Sequence, residues 1–597
     1  MRSKAIFMAL LALAFGAQAE PVSQSDAASV ASAWMQRNVR HHGRGKFRPM
    51  RVRKAMTHKT SDGTEFHSFR MQGGGTVITS ADTEDAPVIA FTPKNLDLSA
   101  TDRKSPLWAL LNRDLSLRGK GHRRQNGASE RHRRRWSELR RQGSAVRVMA
   151  AASFAEEEEG EGEGDFEPSD MRVPVLLKTA WGQSTAYTNE SFDCEVDCFN
   201  SQTPAVKITS GSEVTYENCL CGCVATAMAQ LMKFWEWPKA INGFDNHLYT
   251  DSSWPVEIKR TVSGDRITVW APPKHVLSAD AGQYDWAGMT DYPLSPVGMN
   301  EEGEFVWAGE AVTESNCLAI GKLTYDCGVA VGMAWGLDSS GLRSDRAHRI
   351  PEALVTKFGY KHALLCEGAT LSSTTDAKLR ANAICANLDA GHPVLLLVSG
   401  GLGGHAVVGD GYGFTGTEET PYVHLNMGWD GQNDVWYNLP LINVGDNPES
   451  FDGFDVIDGV VYNVYPDRAS GEIVSGHVTR NGASAEEIPV SLYADGELVG
   501  STQTSSNGVY SFFVESGKAY TVRASVGNVS AEAITPVIVS STSDAVGTIG
   551  KVGNSWATTF RLTIRRCASA TGSTLRRTRR SIPRRTAPWS RSSCRRS

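Results

Sequence analysis

Long apolar runs are almost absent from this chain, which excludes the usual helical membrane architectures. Beyond residues 5–15, no stretch approaches the roughly 20 consecutive apolar residues that a spanning helix needs. An excess of one charge sign is also missing. Lys and Arg number 61 against 66 Asp and Glu, a formal net charge of −5, so bulk attraction to nucleic acid is excluded. No helix with a GK[ST] or GxGxxG pattern follows the glycine run at 400–404, which removes the usual basis for a phosphate cradle. Cysteine is scarce outside one region: nine of the eleven lie between Cys194 and Cys385. The intervals Cys194-x3-Cys198 and Cys219-x-Cys221 are unusual for structural zinc, so neither metal nor other cofactor is expected, and disulfides or free thiols are preferred. Nine thiols in an exported domain can pair as eight and leave one free, which suits a nucleophile.

What is present divides the chain into units. Arg2 and Lys4, the apolar residues 5–15 and then Ala17-Gln18-Ala19 read as a signal peptide over 1–19. Export follows, to the extracellular space or cell surface, with the periplasm as an alternative. Over 20–100, Ser25 is a candidate N-cap for a helix carrying Ala27, Val30, Ala31 and Trp34. Residues 66–71, 76–78 and 88–91 read as strands, with Gly73-Gly74-Gly75 as a turn. Residues 101–167 turn basic and then acidic and read as a linker that buries little and lies open to proteolysis. The basic run carries Trp136 but no series of interleaved aromatics, so no nucleic acid is expected there. The largest block, 168–465, mixes helix and strand signals. In 470–550, short strands with Asp495-Gly496 and Asn507-Gly508 turns predict a β-sandwich of immunoglobulin or prealbumin type. Residues 556–597 read as an Arg-rich disordered tail, and the abrupt change of composition fits a frameshifted end.

Three stretches carry the chemistry. Gly222-Cys223 opens an apolar helical pattern (Val224, Met228, Leu231, Met232) that Pro238 stops. A thiol at a helix N-terminus feels the positive end of the macrodipole, which favours the thiolate. An inert core cysteine is the alternative, and Cys219 and Cys221 compete for the role from loop positions. Gly403-Gly404-His405-Ala406 places a candidate general base at the start of a small-residue strand. About twenty residues later, Asn426 ends an alternating strand at a distance that suits an antiparallel neighbour, where it could accept the imidazole N–H or serve only as a turn asparagine. His424 reads as a structural strand residue.

Taken together, Gly222-Cys223-Val224-Ala225-Thr226-Ala227, Gly403-Gly404-His405-Ala406-Val407 and Asn426-Met427-Gly428-Trp429 resemble, in order, the motifs of the streptopain family of secreted cysteine peptidases. The resemblance implies an α+β class: a papain-like peptidase domain (168–465) preceded by a small α+β inhibitory pro-domain (20–100) and followed by the all-β sandwich. It implies Cys223 as nucleophile, His405 as base and Asn426 as its orienter. Trp181-Gly182-Gln183 is similar to the segment that supplies an oxyanion-hole glutamine, which would make Gln183 a donor. Gly404 would lie along substrate backbone, and Ser340, with residues 328–333, would belong to a wall of the cleft. Trp429 completes the Asn-x-Gly-Trp motif, although the position after Asn426, often tryptophan in this family, is Met427. The implied partners are protein or peptide substrates and the chain's own pro-domain, and maturation would fall near the acidic stretch. An acyl transferase of the same thiol chemistry and a binding protein with a degenerate peptidase domain are the rival readings.

Overall fold

The structure, a computed structural model, describes residues 20–41, 51–98 (except 73), 105–121, 128–151, 166–239 (except 211–212), 257–262, 265–270, 284–299, 304–367, 374–400, 403–415, 421–439, 457–468, 471–538 (except 481, 527–528 and 536) and 556–558. The expected signal peptide, the acidic stretch at 152–165 and the tail from 559 onward lie outside the described residues.

The first helix, Gln24–Asn38, starts where the Ser23 hydroxyl accepts from the Asp26 backbone N–H. Ser23 is therefore the cap, and Ser25, the expected one, sits inside the first turn with its hydroxyl 3.1 Å from that of Ser23. The buried face carries Ala27, Val30, Ala31 and Trp34, as the periodicity requires. It packs on an antiparallel meander of Val52–Lys59, Glu65–Met71, Thr76–Ser80 and Val88–Thr92. Of these, Val52–Lys59 is not evident in the sequence, because its Arg, Lys and His residues obscure the alternation. The glycine turn needs its glycines: Gly75 has φ 86°, and a Cβ there would lie 2.2 Å from the Phe166 ring.

This meander is not a separate sheet. Phe91 pairs with Trp436 and Ala90 with Tyr437, so the four strands extend the sheet of the peptidase block into one of eleven strands. In that block the order is His362–Glu367, Ile457–Tyr465, Val394–Gly400, Gly403–Phe414, Tyr422–Asn426 and Val435–Tyr437, all antiparallel. Side chains alternate between its faces. Leu395, Ala406, Val408 and Val461 join the core that holds helices Cys223–Trp235 and Glu314–Val331, while Leu396, Val407 and Val460 join a second core on the other face.

The second core corrects the reading of 101–167 as a linker that buries little. Pro106–Gly121 and Ala128–Ala151 are helices. Leu107, Leu110, Leu111 and Leu115 fall at helical spacing and are fully buried in that core, while Trp136 and Leu139 are buried in the N-terminal one. Composition hides this because a few apolar residues on one stripe suffice for a helix that packs on something else, while arginines such as Arg134 and Arg141 stay exposed. Asp114 and Arg118 form a buried ion pair one turn apart. Asp114 also accepts from the Tyr437 hydroxyl (2.7 Å), and Arg118 donates to the Asn438 carbonyl (2.8 Å).

Beyond the sheet, Glu472–His477 pairs with Val509–Val514, and a four-stranded sheet is ordered Glu497–Gln503, Pro489–Ala494, Tyr520–Val526, Val529–Ile534. The two sheets share a core of Val474, Leu492, Tyr510 and Val522, as a sandwich does. Asp495 (φ 51°) and Gly496 (φ 87°) make the expected hairpin turn. Residues 556–558, expected in the tail, instead pair in parallel with Glu472–His477. Among the described residues, no helix is long and apolar enough to cross a membrane.

Candidate active site

Gly222, with φ 87°, caps the helix Cys223–Trp235 and places Cys223 at its first position. A Cβ on Gly222 would lie 3.0 Å from the Ser340 carbonyl oxygen and 3.2 Å from Met333 Sδ, so the expected cleft wall abuts the cysteine. The Ser340 hydroxyl is bonded to Gly336, accepting from its N–H at 3.0 Å. Cys223 is buried. Burial raises its thiol pKa, although the backbone N–H groups of Ala406 and Val224 hydrogen-bond the sulfur and act in the opposite direction. Desolvation here outweighs the helix-terminal N–H groups, contrary to the lowering expected from the dipole.

The Ala406 contact sets the second element beside the first. His405, half-buried, precedes Ala406 on the strand Gly403–Phe414 and pairs with Val398, and Gly404 is exposed at the strand's beginning. On the neighbouring strand Asn426 pairs with Val408. Its amide oxygen is engaged twice, accepting from Gln230 Nε2 (3.0 Å) and Gly428 N (3.1 Å), and Nδ2 donates to the Thr179 carbonyl (2.7 Å). The orienting role requires one of those donors to yield its place to the imidazole N–H. Met427 is buried in the second core, and Trp429 packs partly exposed against it.

Gln183 lies next to the nucleophile segment, its carbonyl accepting from the Cys221 N–H at 3.0 Å. Its side-chain Nε2 is buried and has no acceptor among the described residues. A buried donor without a partner is costly, and here it is available for developing negative charge. Of the competing cysteines, Cys221 is bonded to the Thr226 hydroxyl, and burial pushes its thiol up to about 12, as it does that of Cys219. His424 is structural: its Nδ1 lies 2.6 Å from Asp410 Oδ1, and although burial opposes the charge, Asp410 raises its pKa.

Three participants are not evident from the motifs. Gln230, fully buried seven residues after Cys223, accepts from Trp181 N (3.2 Å) while donating to Asn426, so it ties the Gln183 segment to Asn426. A glutamine within an otherwise apolar helix face is the signal that could have pointed to it. Asp430 sits against Gly182, where a Cβ would lie 1.9 Å from its Oδ1, and burial, then Asp434, pushes its carboxyl up to about 7. Lys94, from the N-terminal unit, donates to the Gly431 carbonyl and lies 5.9 Å over the Tyr292 ring. No grouping of three or more His, Cys, Asp or Glu suited to a metal occurs among the described residues.

With this geometry in view, residues 193–437 match the model of the Peptidase C10 family, and residues 19–113 match that of the Spi protease inhibitor. Over those residues the chain is similar to the Peptidase C10 family and, N-terminal to it, to the Spi inhibitor. Streptopain of Streptococcus pyogenes is 28% identical over 250 residues, 41% of this chain and 52% of streptopain. A thiol protease/hemagglutinin, PrtT, of Porphyromonas gingivalis is 27% identical over 224 residues, 38% of this chain and 21% of that one. This chain thus spans about half the length of the streptopain it matches. Among solved structures, a prointerpain A fragment of Prevotella intermedia has a TM-score of 0.40 at 20% identity, covering 70% of this chain and all of the fragment. The matched regions stand in the order read from the sequence, a Spi-type unit followed by a C10 peptidase-type unit. The Spi match reaches residue 113, inside the helix Pro106–Gly121, past the boundary of 100 drawn from composition. The C10 match begins after Gln183, so the glutamine stands on its geometry alone.

Proposed function

We propose that this chain is an exported cysteine endopeptidase made as a zymogen, with protein or peptide substrates. The observation that supports the reading is the packing of the Cys223 helix against the strand that carries His405 near its start, with the Ala406 N–H favouring the Cys223 thiolate. The Cys223 thiolate attacks the scissile carbonyl. Gln183 Nε2 and the Cys223 backbone N–H hold the oxyanion, His405 protonates the leaving amine, and water releases the acyl group. Asn426 orients the imidazole, and Gln230 positions Asn426. Gly404 and Ser340 border the substrate, and Trp429 closes the Asn426 turn.

The Spi-type unit acts as an intramolecular inhibitor. Its ladder on the strand Val435–Tyr437 and the Lys94 contact at Gly431 support that role, since both bear on the turn that follows Asn426. Cleavage between the helical segments and residue 168 releases the mature peptidase. Export to the cell exterior or surface, or to the periplasm, is supported by the N-terminal pattern.

The test is to incubate purified precursor with and without a thiol reductant, following chain mass and casein hydrolysis, beside Cys223→Ala. Thiol-dependent hydrolysis with loss of the N-terminal unit, both abolished by Cys223→Ala, is expected. Hydrolysis that survives Cys223→Ala would refute the assignment, and an inert chain with an alkylatable Cys223, even after limited proteolysis, would refute the function.

A further inference from the structure

Seven cysteines in the peptidase block have no part in the proposed chemistry beyond Cys223 and the neighbouring Cys221. Two of them face each other. Cys198 and Cys317 are neighbours, each the largest influence on the other's thiol, and both are buried in the core that holds Cys223. Other buried thiols meet different partners: Cys221 the Thr226 hydroxyl, Cys327 the thioether of Met232 at 3.6 Å, Cys223 the Ala406 N–H.

The backbones around the pair are fixed to one another. Ser201 Oγ donates to the Cys317 carbonyl (2.9 Å), Gln202 Nε2 to the Leu318 carbonyl (3.1 Å) and Thr324 Oγ1 to the Phe199 carbonyl (2.6 Å). Gly321 allows this approach, since a Cβ there would lie 2.8 Å from the Cys198 carbonyl oxygen. The segment 198–202 is thus moulded onto the helix Glu314–Val331, and the two sulfurs are held within reach of each other along the chain's own contacts.

We propose that Cys198 and Cys317 form a disulfide that braces the two walls of the candidate cleft. The location gives the link its consequence. Cys198 N and Asn200 N both donate to the Ser184 carbonyl, at 3.2 and 3.3 Å, and Ser184 follows Gln183 directly. On the other side, the helix bearing Cys317 ends at Gly332 (φ 71°) and leads into the Met333 and Ser340 wall against Gly222. The disulfide joins the oxyanion segment to that wall through a loop of more than a hundred residues, a span for which cross-linking constrains the unfolded chain strongly.

The oxidant is a disulfide, either a small-molecule one or that of a thiol oxidoreductase met on export, so the occurrence of the link in the cell rests on the export proposed above. Cys317, the less buried of the two thiols, is the attacking sulfur. Cys317 thiolate attacks the external disulfide and expels one thiolate. Cys198 then loses its proton and attacks the Cys317 sulfur of the mixed disulfide, expelling the second. Two protons and two electrons leave the pair, and the external disulfide departs as two thiols.

The test uses the full wild-type chain, equilibrated with oxidised glutathione, alkylated under denaturing conditions without reduction, digested and mapped by mass. The expected result is one linked pair of peptides containing Cys198 and Cys317, lighter by two hydrogens than the two thiol peptides. Cys198→Ser and Cys317→Ser should abolish it and lower the unfolding temperature of the oxidised protein by about 5–10 °C. Alkylation of both thiols in the wild type, linkage of either to another cysteine, or variants as stable as the oxidised wild type would overturn the proposal. Casein hydrolysis read in the same samples after reductant separates the two readings: a linked pair in a chain that never hydrolyses would refute the peptidase and leave the brace standing.

Discussion

The two flanking units are fastened to the peptidase block by different interactions. The N-terminal unit shares main chain with it: Ala90 and Phe91 ladder onto Tyr437 and Trp436, the Asn438 N–H donates to the Ile89 carbonyl at 2.8 Å, and the Asp114–Arg118 pair is buried between them. The C-terminal sandwich is joined through side chains. Asp389 accepts from the hydroxyls of Tyr412 (2.7 Å) and Ser475 (2.6 Å), and the Phe513 ring meets those of Tyr465 and His392, each at 5.5 Å. A ladder closes a strand edge, so departure of the N-terminal unit exposes the unpaired groups of Val435–Tyr437. A side-chain patch carries no such edge. On the proposed zymogen reading, the first junction is the one that maturation breaks, with a change at the site, and the second persists.

Substitutions separate the two junctions. Asp114→Ala leaves Arg118 uncompensated in an apolar core and should cost the precursor about 3–5 kcal/mol, read as a lower denaturant midpoint with early protease sensitivity of the N-terminal unit. An unchanged midpoint would mean that the pair does not secure that junction. Gln183→Ala should lower kcat by about 10²–10³ while both junctions keep their stability, which isolates the site from its surroundings. Phe513→Ala, at a partly exposed ring, should cost about 1–3 kcal/mol and loosen the sandwich without changing casein hydrolysis by the matured enzyme.

The second junction should also respond to pH. Burial pushes Asp389 up from an ordinary 3.8 to about 7, against the lowering effect of Ser475 and Tyr412. Its folded pKa is raised, so the stabilisation is complete below the unfolded value and is lost as pH rises through about 7. Asp389→Asn should flatten the fall in unfolding temperature across that window, and a slope identical to the wild type would remove Asp389 from the account. The smallest effect is expected of Lys94→Ala, about 0.5–1.5 kcal/mol, seen as faster release of the N-terminal unit after linker cleavage.

Much of the site was legible because each catalytic candidate sits in a local pattern. The Cys223 helix is marked by its apolar spacing, its preceding glycine and Pro238, and the strands of His405 and Asn426 by alternation. The pro-segment helices were not legible. Residues 106–151 are polar on average, and only the docking surface supplied by the sheet shows that Leu107, Leu110 and Leu111 form a stripe worth burying. Gln230 was overlooked for the related reason that its two partners, Trp181 and Asn426, lie 49 and 196 residues away. Likewise, the engagement of Asn426 by Gln230 and Gly428 depends on packing that no spacing encodes.

By itself, then, the sequence determined which residue types stand at the heads of which elements, because helix periodicity, strand alternation and turn glycines are local properties of the chain. Tertiary structure decided the rest: that the N-terminal strands extend the peptidase sheet, that burial rather than the helix terminus sets the Cys223 thiol, and that Cys198 is brought into the neighbourhood of Cys317. Those outcomes depend on long-range contact and on the desolvation that accompanies it, quantities that exist only once distant segments exclude water together.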